Sequence, residues 1–369
     1  MKTIVIAHNY TKKSFAAMSY YLAHFLAEEG FRVIFISHRP FFKEKKLIKK
    51  GSGEIITMSW SSKSRPTGIK DAVYFSFFYF KYKPSIIIGH FVGSNISVIL
   101  SKFFSFFRVR TLVYYHTLTK QNILDSTKSK IMQFFLKIRK NIFYSFFVDK
   151  LICPSNLARQ DLLNSFWINK SKVTVVLNPI PDRFFKEISK KDNSIIISYL
   201  GRLDESKNVV FLINYFLKFK KQTPNSKLIL QIAGEGSQVD EIRELCDNTD
   251  KVFFFGRLEY KDIDNYLMTS HYTIIPSKHD NLPTVGLESL MNGIPILISK
   301  NTGLSEYCTD GVDSYKFLPN KKQIMDLFYR VDSTKKNRYL KMSLNSRKLY
   351  LKQFNLSIYN KKILEILNK

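Results

Sequence analysis

Short apolar runs that end in glycine, histidine or proline recur along the chain, each followed by a stretch long enough for a helix. That alternation constrains the fold more than any other feature. Residues 3–7, 31–37, 85–89, 112–115 and 173–177 read as buried strands, and 194–200, 227–233, 252–255, 272–275 and 294–298 form a second series. Between the series lies Asn178-Pro179-Ile180-Pro181-Asp182, whose two prolines stiffen the backbone and suit a linker. Strands alternating with helices pair in parallel, so each series predicts a doubly wound sheet. A chain of 369 residues exceeds what one hydrophobic core ordinarily supports. We therefore expect domains at 1–182 and 183–350, and a terminal helix at 351–369 with a break near Asn355.

The chemistry concentrates in the second series. Residues 277–290 follow a strand closed by Pro276 and lead into a helix expected over 288–292. Asp280 thus falls on a loop at a strand's carboxyl end, and Glu288 near a helix start. In open α/β sheets that crevice takes ligands, and first-turn N–H groups face anions. Two carboxylates beside such a site suit sugar hydroxyls, although alone they would read more simply as helix caps. Gly201-Arg202-Leu203-Asp204-Glu205-Ser206-Lys207 ends the first strand of this half, and puts Arg202 and Lys207 at another helix start, within reach of a diphosphate. Strand-end glycines at Gly234, Gly236 and Gly256, the last preceding Arg257, suit close approach of backbone to a nucleobase.

Asp280 and Glu288 have the acid-x7-Glu spacing of retaining glycosyltransferases of family 4, and the chain resembles that family over nearly its whole length. The resemblance is strongest over 196–320 and loosest over 8–110. Asp280 stands where the family more often has Glu, and Asp280-Asn281-Leu282-Pro283 looks like a form found in a bacterial polysaccharide branch. The resemblance implies a GT-B fold, two Rossmann-like doubly wound domains facing across a cleft. It also implies a nucleotide-diphosphate sugar donor, UDP- or GDP-linked, a glycan or lipid-linked acceptor, and no obligatory metal or other cofactor.

Residue by residue, the resemblance implies Arg202 and Lys207 on the diphosphate, Asp280 on sugar hydroxyls and Glu288 on the ribose. Amides near Thr284 and Val285 would meet phosphate, with Gly201, Gly234, Arg257 and Asn281 completing the donor site. Tyr114-Tyr115-His116, ahead of a long helix, resembles the order in the family's first domain, where a histidine lies near the donor sugar. His90 reads as structural. Over 8–17 the family often has paired glycines; here the small residues are Ser14, Ala16 and Ala17. Rival readings are a nucleotide-sugar 2-epimerase of related fold and a non-catalytic GT-B subunit that binds donor or membrane.

Net charge is +28, with +20 in residues 1–185 and +8 in the rest. Such an excess favours an anionic partner, nucleic acid or membrane. Phenylalanine and tyrosine recur beside lysine at 41–50, 101–110 and 128–147, which points to membrane; no nucleic-acid motif is present. In the last stretch Ile131, Phe134, Phe135, Ile138 and Ile142 follow helical spacing, with Lys130, Lys137 and Lys140 elsewhere. We expect most of these aromatics in the core and a minority at a bilayer surface. No apolar run approaches the ~20 residues of a membrane span. The first strand does not read as a leader peptide. Cys153, Cys246 and Cys308 read as reduced core thiols. Together these predict a cytoplasmic protein, peripheral at the inner face of the membrane. Asp262 and Asp264 have the spacing of a metal–diphosphate motif but read as dipole-stabilising acids at a helix start.

Overall fold

The computed structural model describes residues 1–8, 17–38, 41–60, 62, 66–184, 194–247 and 249–369. The chain divides into two compact units, the first of Met1–His116, Lys128–Asn178 and Leu356–Lys369, the second of Thr117–Thr127 and Pro179–Asn355. The main crossing thus falls inside the proline turn, at Pro179 rather than at 183. The segment 117–127 goes with the second unit, which sequence reading did not anticipate.

The first unit holds an eight-stranded sheet built from β1 (Thr3–His8), β2 (Arg32–Ser37), β3 (Lys46–Lys50), β4 (Gly53–Ser59), β5 (Ile86–His90), β6 (Arg110–Tyr114), β7 (Lys150–Cys153) and β8 (Val173–Val175). Its order is β3-β4-β2-β1-β5-β6-β7-β8. All pairs are parallel except β3 with β4, an antiparallel hairpin at the edge. Most of the lysine cluster thus forms the exposed edge strand Lys46–Lys50, where charge discourages pairing with another chain. The helix Ala17–Glu28 falls within 14–30, whose periodicity predicts an amphipathic helix closed by Gly30; 14–16 lie outside the described residues. The terminal helix Leu356–Asn368 buries Tyr359, Ile363 and Leu367 in this unit's core, and the Tyr359 and Tyr114 hydroxyls meet at 2.5 Å.

One expectation fails here. The helix Lys130–Ile142 buries none of its side chains, and Ile131, Phe134, Phe135, Ile138 and Ile142 are all exposed. Its apolar stripe is real but packs against no core.

The second unit carries a six-stranded parallel sheet of β9 (Ile195–Arg202), β10 (Leu228–Glu235), β11 (Val252–Phe254), β12 (Tyr272–Ile275), β13 (Ile296–Ser299) and β14 (Ser314–Phe317), in the order β11-β10-β9-β12-β13-β14. β9 and β12, the two strands whose following loops carry the motifs, are neighbours at the centre. Phe216 and Phe219 of the helix Val209–Gln222 pack on Phe328 of Lys321–Asp332 beside this sheet. The helix after β12 runs from Thr284 to Met291, so Glu288 lies in its second turn rather than at its start. The break before the last helix falls at Phe354 and Asn355. All three cysteines are free and buried.

Candidate functional site

The parallel register of β9 and β12 places the loops that follow them side by side. After β9 the chain makes a single turn over Glu205–Lys207, and Asn208 adopts a left-handed conformation (φ +63°) to open the next helix. The Asn208 side-chain amide donates to the Pro276 carbonyl at 3.2 Å, and the Lys278 N–H donates to the Ser206 carbonyl at 2.9 Å. These two bonds hold the turn against the loop after β12. Lys207 Nζ then donates to Asp280 Oδ2 at 2.5 Å, with both side chains largely buried. Asp280 is fixed from its other side as well. Its Oδ1 accepts the Asn281 N–H at 2.9 Å, and its carbonyl accepts the Gly303 N–H at 3.1 Å.

Arg202 closes β9 and remains half exposed. Its guanidinium donates to Asp125 at 2.9 Å and contacts Asp204 closely. Asp125 also accepts from the Ser206 N–H at 3.2 Å and hydroxyl at 3.0 Å, so one carboxylate orients both ends of the Arg202–Lys207 turn. No local pattern marks Asp125, which lies 77 positions away in sequence and comes from the 117–127 segment.

Gly234 faces Gly201 across the β9–β10 register, and a Cβ there would lie 1.9 Å from the Gly201 carbonyl oxygen. The sheet itself therefore demands glycine at this position, a reason separate from approach to a nucleobase. Arg257 forms an ion pair with Glu235 at 2.9 Å, both mostly exposed, as is typical of surface pairs worth little to stability. Thr284 and Val285 are the first two helical residues after Pro283, where backbone N–H groups lack intrahelical acceptors. A Cβ on Gly286 would stand 2.4 Å from Leu304, so glycine here lets the turn Gly303–Glu306 lie on that helix.

Glu288 is 6% exposed. Arg183, just past the proline turn, places Nη2 at 3.4 Å from its carboxylate and grips Asp264 with Nε and Nη2 at 2.9 and 3.1 Å. Asp264 is therefore an ion-pair partner of Arg183, which corrects its reading as a helix-start acid; Asp262 does lie in the first turn. Burial pushes the Glu288 carboxyl up to about 7, and neighbouring Asp264 adds to the rise while Arg183 opposes it. Sequence reading missed Arg183, a lone basic residue in a turn.

His116 belongs to the first unit. Its Nε2 lies 3.1 Å from His90 Nδ1, and His90 is stacked between His8 (centroids 4.2 Å) and Tyr114 (4.1 Å). These groups converge because β1, β5 and β6 are adjacent and end at one level. Burial holds the His116 imidazole down to about 3, so it is neutral at physiological pH. The residues 9–16, expected to form the first loop, lie outside the described residues. No group of three or more His, Cys, Asp or Glu side chains among the described residues is arranged to hold a metal.

Two family profiles cover most of the chain: Glycosyltransferase Family 4 matches residues 16–184, and Glycosyl transferases group 1 matches 181–348. The chain belongs to glycosyltransferase family 4. An uncharacterized glycosyltransferase of Methanocaldococcus jannaschii is 24% identical over 235 residues, covering 59% of this chain and 56% of that protein. The UDP-Gal:alpha-D-GlcNAc-diphosphoundecaprenol alpha-1,3-galactosyltransferase of Escherichia coli is 25% identical, over 48% of this chain and 49% of its own. The chain thus spans about half the length of the curated relatives it matches. Among solved structures, sucrose-phosphate synthase from Thermosynechococcus elongatus superposes with a TM-score of 0.78 at 15% identity, covering 100% of this chain and 98% of that one. That likeness is one of fold, and the fold of this family 4 member is GT-B, with two Rossmann-like units.

Proposed function

We propose that this family 4 glycosyltransferase moves a sugar from a nucleotide-diphosphate sugar to a glycan or lipid-linked acceptor, with retention of anomeric configuration. The observation that carries the reading is the Lys207–Asp280 pair, which joins the turn after β9 to the loop that leads into the helix Thr284–Met291. An ammonium group has three N–H donors, and Asp280 takes one, leaving two for phosphate oxygens. Arg202, held by Asp125, adds a second cation. Both are charged and oriented before the donor arrives, so they favour the developing charge on the leaving diphosphate with little reorganisation. Asp280 and Asn281 face the sugar hydroxyls, Thr284 and Val285 offer amides to phosphate, and Glu288 takes the ribose diol. Gly201, Gly234 and Arg257 border the nucleotide. His116, neutral, serves as a hydrogen-bonding group toward the transferred sugar.

The donor is UDP- or GDP-linked; the E. coli relative, by its name, uses UDP-Gal and a diphosphoundecaprenol-linked acceptor. An acceptor of that kind fits a basic protein working at the anionic inner face of the cell membrane. The test is a hydrolysis screen of nucleotide sugars with purified protein, followed by acceptor trials and determination of the product anomer. Transfer with retention supports the reading. Release of UDP with epimerised sugar and no acceptor would make the protein a 2-epimerase, and turnover of no donor would leave a binding subunit.

A further inference from the structure

The helix Lys130–Ile142 presents its apolar stripe away from the unit that carries it. Ile131, Phe134, Phe135, Ile138 and Ile142 fall on one face by their three-and-four spacing. The partly covered residues Gln133, Leu136 and Lys140 recur at the same spacing on the opposite face, toward the body of the unit. A helix with an exposed phenylalanine-rich face is costly in water, so something apolar is expected to meet it.

The apolar surface continues past the helix. Phe146, in the π-helical turn Phe143–Phe147 that follows, is exposed, and Trp167 is 89% exposed. Trp167 is strapped to the helix end by two bonds: its N–H donates to Asn141 Oδ1 at 2.8 Å, and the Ser145 hydroxyl donates to its carbonyl at 2.9 Å. Phe147 carries the surface on to Phe103 (5.7 Å) and Phe107 (6.2 Å). Phe106 and Phe107 both hold left-handed backbone, φ +50° and +64°, which bulky residues rarely adopt, and Phe106 is 87% exposed.

Charge selects the occupant. Residues 128–148 contain five lysines and arginines and no acid. Lys130 and Lys137 line one border of the apolar stripe and Arg139 the other, all exposed. A second copy of the chain on this face would set like charges against one another. A bilayer with anionic headgroups meets both requirements, hydrocarbon for the rings and phosphate for the cations. No helix among the described residues is long and apolar enough to cross a membrane, so contact stays at the interface.

We propose that the face formed by the helix Lys130–Ile142 together with Phe146 and Trp167 docks on an anionic lipid bilayer and inserts its aromatic side chains at the headgroup level. The inference rests on the lipid-linked acceptor proposed above for its purpose, since docking there brings the enzyme to such an acceptor.

The chain supplies its own probe. It has two tryptophans, buried Trp60 and exposed Trp167. Full-length protein is mixed with phosphatidylcholine vesicles, with or without phosphatidylglycerol, and with the same vesicles carrying brominated acyl chains. Binding to anionic vesicles with a blue shift and bromine quenching, both lost in Trp167→Phe, is the expected result. The double variant Phe134→Ser, Phe135→Ser is expected to bind at least tenfold more weakly while hydrolysing donor in solution at the wild-type rate. Neutralising Lys130, Lys137 and Arg139 with glutamine is expected to weaken binding more than neutralising Lys45, Lys46, Lys49 and Lys50. Vesicle-bound protein with unquenched Trp167 overturns the assignment, as does the reverse ranking of the two lysine sets. Absence of binding overturns it, and so does a dimer that Phe134→Ser dissociates. Donor hydrolysis is scored separately: its loss in wild type would sink the transferase reading and leave the quenching result standing.

Discussion

The Arg183 guanidinium stands 3.4 Å from the buried Glu288 carboxylate, while its firmer bonds go to Asp264. Burial favours the neutral acid and raises its midpoint to about 7; the Arg183 charge acts in the opposite direction. A ribose diol is best met by the ionised form, which accepts two hydrogen bonds. Donor kcat/KM is therefore expected to rise with pH through about 7. Arg183→Ala removes the charge that favours ionisation, so its midpoint moves up and activity lost at neutral pH partly returns on the alkaline side. Glu288→Gln gives a low profile without that inflection. A variant profile parallel to wild type would show that Arg183 acts only on folding.

Lys207→Ala is expected to lower turnover by roughly two orders of magnitude, the scale of losing one transition-state donor. Arg202→Ala should also be slow, and the double variant should cost less than the two separate losses combined, because both cations act on one charge. Asp125→Asn tests the support beneath them, with a smaller fall expected. Wild-type turnover in Lys207→Ala with unchanged circular dichroism would remove it from the site.

Strands closed by a clear stop were legible to their ends, as at Tyr272–Ile275 before Pro276, whereas Gly53–Ser59, buried along most of its length, was not expected, its apolar run broken by Glu54 and Thr57. They were missed where pattern fails: Lys46–Lys50 is an edge strand of mostly polar residues, and Ser314–Phe317 mixes polar and aromatic side chains. Arg202, Lys207, Asp280 and Glu288 stood out as candidates because each lies in a short contiguous motif, and the fold brings Lys207 and Asp280 together because the loops carrying them follow adjacent central strands. Asp125 and Arg183 did not stand out, since their partners lie 77 and 81 positions away and only the fold brings them together. The stripe over 131–142 announced an amphipathic helix, but periodicity does not say whether a core or another medium meets it.

Asp280 is short by one methylene relative to the commoner family residue, and its carboxylate is already matched to Lys207. Asp280→Glu pushes that carboxylate into a packed loop, and activity should fall. Asp280→Asn should fall further and should also lower the unfolding midpoint, since it strands a largely buried ammonium at a cost of ~3 kcal/mol. Full activity in both variants would show that the side chain does not contact the sugar.

On the proposed assignment of Arg202 and Lys207 to the diphosphate charge, EDTA is expected to leave most of the activity intact. Complete loss, restored only by manganese or magnesium, would bring Asp262 forward as a ligand and require Asp264 to leave Arg183.

The histidines of the first unit predict how it fails in acid. His8 and His90 are buried and held well below the ordinary imidazole value, first by burial, then by His116 and His38 in the case of His8 and by His8, His116 and His38 in the case of His90. His38 is held down to about 4 by burial, and His116 to about 3. In the unfolded chain all four titrate near 6.5. The folded unit thus binds fewer protons below that value. Stability is full above about 6.5 and is lost as pH falls toward the folded values, by about 2 kcal/mol for each neutral histidine at about pH 5. Both tryptophans, Trp60 and Trp167, lie in this unit, so urea unfolding followed by their fluorescence reports it selectively. The midpoint should drop steeply between neutral and mildly acidic pH. His38→Asn should make that slope shallower by about one proton, whatever it does to stability at neutral pH. A midpoint that does not move over this range would mean that the four imidazoles are not held neutral together.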